Sequence, residues 1–221
     1  MQDLIKQEQF EIEVLDVLNS KRILGYLVFG GGTMLRLCWG LNRFSVDLDF
    51  WIIKKINFKK LFNLVKECLL ERYIIKDANN KFYTLLFEIK SKDFPRALKI
   101  EIRKELKKIK TEKAIAYSKY SNLQVLVNTI TLKEMMSAKI KAFLERKEIR
   151  DVFDIEFLYK KGIDLDASQE ELSGLLKGIS SLTKNDYNVK LAGLLEEKDR
   201  KYYLHNKFKL LESAIREKIR L

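Results

Sequence analysis

Apolar residues recur at helical spacing through residues 3–20 (Leu4, Ile5, Ile12, Leu15, Leu18), which predicts an opening helix. The run Gly25 to Gly30 is short, apolar and continued by Gly31 and Gly32, the pattern of a buried strand entering a tight turn. Thr33 to Leu41 reads as a short helix with Thr33 near its N-cap. Ser45 to Ile53 begins in polar–apolar alternation and reads as a second strand. Phe58 to Glu71 returns to helical spacing through Phe58, Leu61, Phe62, Val65 and Leu69. Residues 72–78 and 81–90 predict two strands, joined by a hairpin turn across Asn79 and Asn80. In the stretch Ala97 to Arg103, Leu98, Ile100 and Ile102 fall on one face and Lys99, Glu101 and Arg103 on the other. Leu123 to Asn128 is a further short strand. From Thr131 the pattern is helical almost to the end, broken near Lys161 and Gly162.

This order predicts an α+β fold: a mixed β-sheet with flanking helices over residues 1–130, followed by a helical C-terminal region over 131–221. No Pro- or Ser-rich linker separates the two, so the helical region is expected to pack against the sheet.

Composition narrows the class. Hydrophobic residues make up 47% of the 221 positions, too many for a disordered chain. Cys38 and Cys68 are too few for a disulfide framework or a cysteine-rich zinc site, and read as small buried hydrophobes. The N-terminus has no apolar core of a secretory signal, and no segment is long and apolar enough to span a bilayer. A cytoplasmic protein with no membrane partner is the expectation. The formal charge of +12 is uneven: residues 1–50 hold five Lys/Arg against seven Asp/Glu, the remainder 38 against 24. That excess would give the later part a cationic surface suited to a phosphate backbone, or simply solvated helix faces.

The candidate chemistry lies mostly in the first half, which is glycine-marked and nearly neutral. Glycines after a strand let backbone N–H groups approach a phosphate, and the helix that follows adds its dipole. After thirteen intervening residues beyond Thr33, Asp47 and Asp49 stand two apart on a predicted strand, so both carboxylates leave one face. Paired carboxylates repel unless a cation lies between them, and Mg²⁺ prefers such oxygens together with substrate phosphates. Glu101 would add a third carboxylate if its strand lies beside that of the aspartates. Taken singly, a glycine triplet is a turn, Asp-x-Asp is surface charge and Glu101 is a solvated strand residue. The apolar neighbours Val46, Leu48 and Phe50 argue against a surface strand, and the combination argues for a site. No Gly-Lys-Ser/Thr follows the glycines, and no Gly-x-Gly-x-x-Gly is present.

The blocks Gly31-Gly32-Thr33 through Leu37 and Arg43-Phe44-Ser45-Val46-Asp47-Leu48-Asp49-Phe50 resemble the first motif of polymerase-β-type nucleotidyltransferases. More narrowly they resemble the AbiEii/AbiGii toxin family of type IV toxin–antitoxin and abortive-infection systems. A later block, Lys139 to Leu158 with Arg146, Arg150, Asp151 and Asp154, resembles that family's Lys…Arg…Arg-Asp-x-x-Asp signature. By itself the spacing of Lys139, Arg146 and Arg150 is that of one helical face, and Asp151 and Asp154 share another.

The resemblance implies a nucleotidyltransferase-type sheet and Mg²⁺-dependent transfer of NMP from NTP to an RNA 3′ end, tRNA first among acceptors. A protein or small-molecule acceptor, or a non-catalytic nucleotide- or RNA-binding module, is the alternative. Gly31, Gly32 and Thr33 would hold the triphosphate, with Thr33 where many relatives carry serine. Arg43 and Ser45 would line the nucleotide site. Asp47 and Asp49, with Glu101 as a weaker third, would hold two metal ions. Lys139 would neutralise phosphate charge. Asp151 matches the later aspartate, with Asp154, one turn on, as its structural partner or its substitute. The resemblance also implies a cognate antitoxin that needs no stable complex with the chain.

Overall fold

Alternation decides where the sheet forms. Leu48, Phe50 and Ile52 are buried along one strand, and Leu85, Phe87, Ile89, Leu98, Ile100 and Ile102 along two others. The structure, a computed structural model, describes residues 1–106 and 109–220. Its strands are β1 (Leu27–Gly30), β2 (Asp47–Ile52), β3 (Ile74–Asn80), β4 (Thr84–Lys90), β5 (Leu98–Leu106), β6 (Thr111–Tyr117) and β7 (Gln124–Ile130). They form one seven-stranded sheet in the order β3-β4-β5-β2-β1-β7-β6. Pairing is mixed: β2 runs parallel to β5 and β1 to β7, while β1–β2, β3–β4, β4–β5 and β6–β7 are antiparallel.

Three helices flank the sheet: α1 (Gln2–Ser20), α2 (Gly31–Trp39) and α3 (Phe58–Leu70). In α1, Phe10, Ile12, Val14, Leu15 and Leu18 are buried, and the helix packs on β5 and β7. α3 is capped by Asn57, whose side chain accepts from the Lys60 N–H at 3.0 Å, and it packs on β3 and β4. Residues Met1–Gly40 and Phe44–Ile130 make one compact unit; Leu41–Arg43 and Thr131–Leu221 make a second.

The second unit is helical: α4 (Leu132–Arg146), α5 (Ile149–Lys160), α6 (Gln169–Ser180), α7 (Glu197–Asn206) and α8 (Lys209–Arg220), with a π turn and a 3₁₀ turn between α6 and α7. Thr131 caps α4, and a full capping box, Ser168 with Glu171, starts α6. α4 packs on α5 and α6, and α6 on α8. No helix among the described residues is long and apolar enough to cross a membrane.

Four local readings need correction. The hairpin turn lies at residues 81–83, because β3 runs on through Asn79 and Asn80. β6 is an edge strand that the hydrophobic pattern did not reveal. A 3₁₀ turn over Ile23–Tyr26 precedes β1, so that strand begins at Leu27. Lys147, at φ +55°, ends α4 ahead of α5, so Lys139 and Arg150 stand on different helices.

Candidate active site

β1 ends in Gly30, and the chain turns directly into α2, which starts at Gly31. Thr33 therefore lies inside the first turn of α2, and Gly30 takes the N-cap position. Gly31 has φ +76°, a conformation that side chains other than glycine's resist. Its hydrogen also faces the neighbouring strand: a Cβ there would come within 2.5 Å of Asp49 Oδ2 and 3.2 Å of Asp49 Cγ. The carboxylate of Asp49 thus lies against the glycine turn. Register explains this, since Gly30 on β1 pairs with Asp49 on β2. A Cβ on Gly30 would run into the Trp51 ring, so this glycine also makes room for its neighbour.

Asp47 and Asp49 are half-buried on the face of β2 opposite the buried Leu48 and Phe50. The turn and the strand are tied together by Thr33, whose hydroxyl donates to the Asp47 carbonyl at 2.6 Å. Ser45, also half-buried, precedes the strand. β5 lies on the other side of β2 in parallel, pairing Asp47 with Lys99 and Asp49 with Glu101. Glu101 forms an ion pair with Lys99. That hydrogen bond, with the charges of Glu101, Asp47 and Asp49, raises the Lys99 ammonium above the ordinary lysine range. The dense negative charge of this face is thus registered by its one neighbouring lysine on β5.

Gln7 of α1 reaches the start of both strands, donating to the Val46 carbonyl at 3.3 Å and that of Ala97 at 3.5 Å. Neither Gln7 nor Lys99 stood out in the sequence. The alternation over 97–103 placed Lys99 on the polar face, and only the strand order shows it opposite Asp47.

The remaining candidates, Arg43, Lys139 and Asp151, belong to the helical unit, where they form a buried ion-pair network. Arg43 clamps Asp154 through two bonds, Nε to Oδ1 at 2.6 Å and Nη2 to Oδ2 at 2.7 Å. Lys139 bridges Asp154 Oδ2 at 2.6 Å and Asp151 Oδ1 at 3.2 Å. Arg146 holds Asp151 through Nε at 2.7 Å and Nη2 at 2.6 Å. Both aspartates are 0% exposed. Burial acts to raise the Asp154 carboxyl, but the charges and hydrogen bonds of Arg43 and Lys139 outweigh it and hold it below the usual carboxylate range. Exposed Arg150 takes no part in this network.

The donor chemistry of β2 fits a hard divalent cation. Mg²⁺ is commonly held by one or two carboxylates together with substrate phosphates, so Asp47 and Asp49 form a sufficient protein contribution. Among the described residues no group of three or more His, Cys, Asp and Glu side chains is gathered tightly enough to hold a metal. Glu101 is adjacent in register and is not drawn into such a cluster.

The geometry at Gly31 makes a prediction. Gly31→Ala is expected to push the Asp49 carboxylate from its position and reduce catalytic turnover more than about tenfold, a modest displacement at a reacting centre being sufficient for this. Gly40→Ala is the control: its φ is also positive, at +77°, but no atom lies within 4 Å of a Cβ there. It should carry the backbone penalty of about 1 kcal/mol and keep its activity. Steady-state rates and thermal melts of the two variants separate the effects.

The family described as nucleotidyl transferase AbiEii toxin of type IV toxin–antitoxin systems matches residues 24–203. Among curated protein sequences none matches. The crystal structure of JHP933 from Helicobacter pylori is similar at TM-score 0.60 and 24% identity, covering 96% of this chain and 94% of that one. A putative nucleotidyltransferase from H. pylori is similar at TM-score 0.59 and 23% identity, with 96% of each chain covered. MenT4, a nucleotidyltransferase toxin from Mycobacterium tuberculosis H37Rv, gives TM-score 0.61 at 15% identity, over 98% of this chain and 82% of that one. At these identities the likeness to the solved structures is one of fold.

Proposed function

This chain belongs to the AbiEii nucleotidyl transferase toxin family of type IV toxin–antitoxin systems, and on that premise we propose that it transfers NMP from an NTP to the 3′ end of an RNA, tRNA being the acceptor. The observation that carries this reading is the contact between the Asp49 carboxylate and Gly31 at the head of α2. A turn suited to phosphate oxygens and a pair of carboxylates suited to cations share one place.

In this reading the backbone N–H groups of Gly31 and Gly32 receive the triphosphate, aided by the dipole of α2. Thr33 fixes the turn against β2, and Ser45 borders the nucleotide. Asp47 and Asp49 would hold Mg²⁺, up to two ions with substrate phosphates completing their shells, and Glu101 would join them only on leaving its ion pair with Lys99. When bound, Mg²⁺ offsets the repulsion between carboxylates and triphosphate and makes the acceptor hydroxyl more acidic. The acceptor oxygen forms its bond to the α-phosphorus while the bond from that phosphorus to the bridging oxygen breaks. Pyrophosphate leaves with the electron pair, and the hydroxyl proton passes to solvent. By the family resemblance Arg43 would border the nucleotide and Lys139 would neutralise phosphate charge; within the helical unit Asp154 holds both side chains and Asp151 also holds Lys139. The positive balance of residues 51–221 suits a nucleic-acid acceptor. A cognate antitoxin would counter the outcome without a stable complex.

The experiment is incubation with each labelled NTP, Mg²⁺ and total tRNA. Label is expected on RNA 3′ ends with at least one NTP, and none when the divalent cation is chelated. Binding of NTP without incorporation into RNA would refute the RNA acceptor. Label appearing instead as an NMP adduct on co-incubated protein would identify a different acceptor class.

A further inference from the structure

The β3–β4 hairpin carries two large aromatic side chains into solvent: Phe82 is 82% exposed and Tyr83 76% exposed. Neither contributes to the core. Their rings meet edge to face, with centroids 4.6 Å apart. The backbone beneath them is nonetheless fixed. The Lys81 N–H donates to the Thr84 carbonyl at 2.9 Å, the Lys104 N–H donates to the Tyr83 carbonyl at 2.9 Å, and the Lys104 ammonium donates to the Lys81 carbonyl. A pair of rings held out on an anchored tip, with no partner of their own in the core, is a surface arranged for contact.

The tip borders a cavity of about 1080 Å³. Lys81, Arg103 and Lys104 bring positive charge to it, Glu101 and Glu105 negative charge, and Phe58 forms part of its wall. The Lys104 ammonium stands 5.5 Å from the Phe58 ring centroid. Aromatic faces interleaved with cations are what an unpaired nucleic-acid segment requires: bases stack on rings and phosphates meet ammonium and guanidinium groups.

Strand order gives the cavity its place in the reaction. Glu101 lines it, and Glu101 is the register partner of Asp49. At Glu101 the cavity reaches the strand next to the acidic one, about 4.8 Å away, while the aromatic tip stands two strands from Asp49 and further along the sheet, level with Arg103 and Lys104. In the order β4-β5-β2-β1 the glycine turn lies on the β1 side of β2 and the cavity on the β5 side. In-line displacement requires the attacking oxygen opposite the leaving pyrophosphate. With the triphosphate on the glycine turn, an acceptor held on the β5 side would lie across the acidic strand from the leaving group.

We propose that Phe82, Tyr83 and the cavity beside them seat the acceptor strand, stacking its unpaired bases so that its terminal hydroxyl meets the acidic face. This rests on the transferase reading above and adds the acceptor's chemistry: an RNA end with unpaired nucleotides, in preference to a blunt duplex or a protein side chain.

The test compares a hairpin RNA carrying four unpaired 3′ nucleotides with the same hairpin made blunt, using the full chain and fluorescence anisotropy. The wild-type chain is expected to favour the overhang. The Phe82→Ala/Tyr83→Ala double variant should lose about tenfold or more in overhang affinity, the scale of one lost stacking contact, and keep its blunt-hairpin affinity. In transfer assays its KM for RNA should rise while its KM for NTP stays unchanged, and Phe82→Trp/Tyr83→Trp should restore the overhang preference. Both aromatics are exposed, so equal melting temperatures will show that the double variant folds. Unchanged overhang affinity in a variant that still transfers to RNA overturns the acceptor seat and leaves the transferase standing. A wild-type chain that labels no RNA overturns both.

Discussion

Asp49→Asn is expected to reduce nucleotidyl transfer by at least about 10³-fold, equivalent to some 4 kcal/mol of lost transition-state stabilisation, with the fold intact. The substitution keeps the shape of the side chain and removes its charge. Against Gly31 that charge is the feature a divalent ion and a triphosphate would respond to. Neutralising it removes repulsion from Asp47 and Glu101 but also attraction to the Lys99 ammonium, so a melting temperature close to that of the wild type is the expected companion of the lost activity. Asp47→Asn should behave similarly, since the bond from Thr33 goes to the Asp47 carbonyl and survives the change. Initial rates with labelled NTP, together with thermal melts, provide the check. A variant lacking the Asp49 charge that transfers nucleotide at the wild-type rate would remove Asp49 from the metal-binding set.

Much of this site was legible because it depends on short-range rules. Two residues apart on a strand means one face, and Asp47 and Asp49 do share one. A glycine run after an apolar strand means a tight turn, and Gly31 does take positive φ. Glu101 was placed on the polar face of its strand by alternation alone, and the pairing of β5 with β2 supplies the rest. What stayed hidden depends on long-range pairing or on competing local signals. Asn79 and Asn80 favour a turn, yet they pair with Leu86 and Leu85, and the turn falls on Lys81, Phe82 and Tyr83. Phe82 and Tyr83 looked like strand residues because aromatic side chains favour strands; nothing local shows that they stand in solvent. β6 escaped notice because only Ala116 of its seven residues is buried, as befits an edge strand. The Arg43–Asp154 pair spans 111 positions, and no periodicity connects residues so far apart.

That pair underlies the second large effect. Asp154→Ala is expected to destabilise the helical unit by about 3–5 kcal/mol, because it removes the buried carboxylate that Arg43 and Lys139 share. For a chain of this length that corresponds to a fall of roughly 6–20 °C in melting temperature. Asp151, at 3.2 Å from Lys139, offers that ammonium a second partner, but Arg43 loses both bonds of its clamp. Replacing both ends of the clamp, Arg43→Met with Asp154→Leu, should recover much of the loss, since two apolar side chains need no mutual compensation. The pH dependence follows from the sign of the shift. The folded-state pKa of Asp154 lies below its ordinary value of 3.8, so its contribution is present above 3.8 and fades as acid protonates the folded carboxyl. The gap in melting temperature between wild type and Asp154→Ala should therefore be full at pH 7 and shrink progressively below pH 3.8. A gap that stays constant into acid would assign the loss to the cavity left by the side chain, and the buried charges would then contribute little.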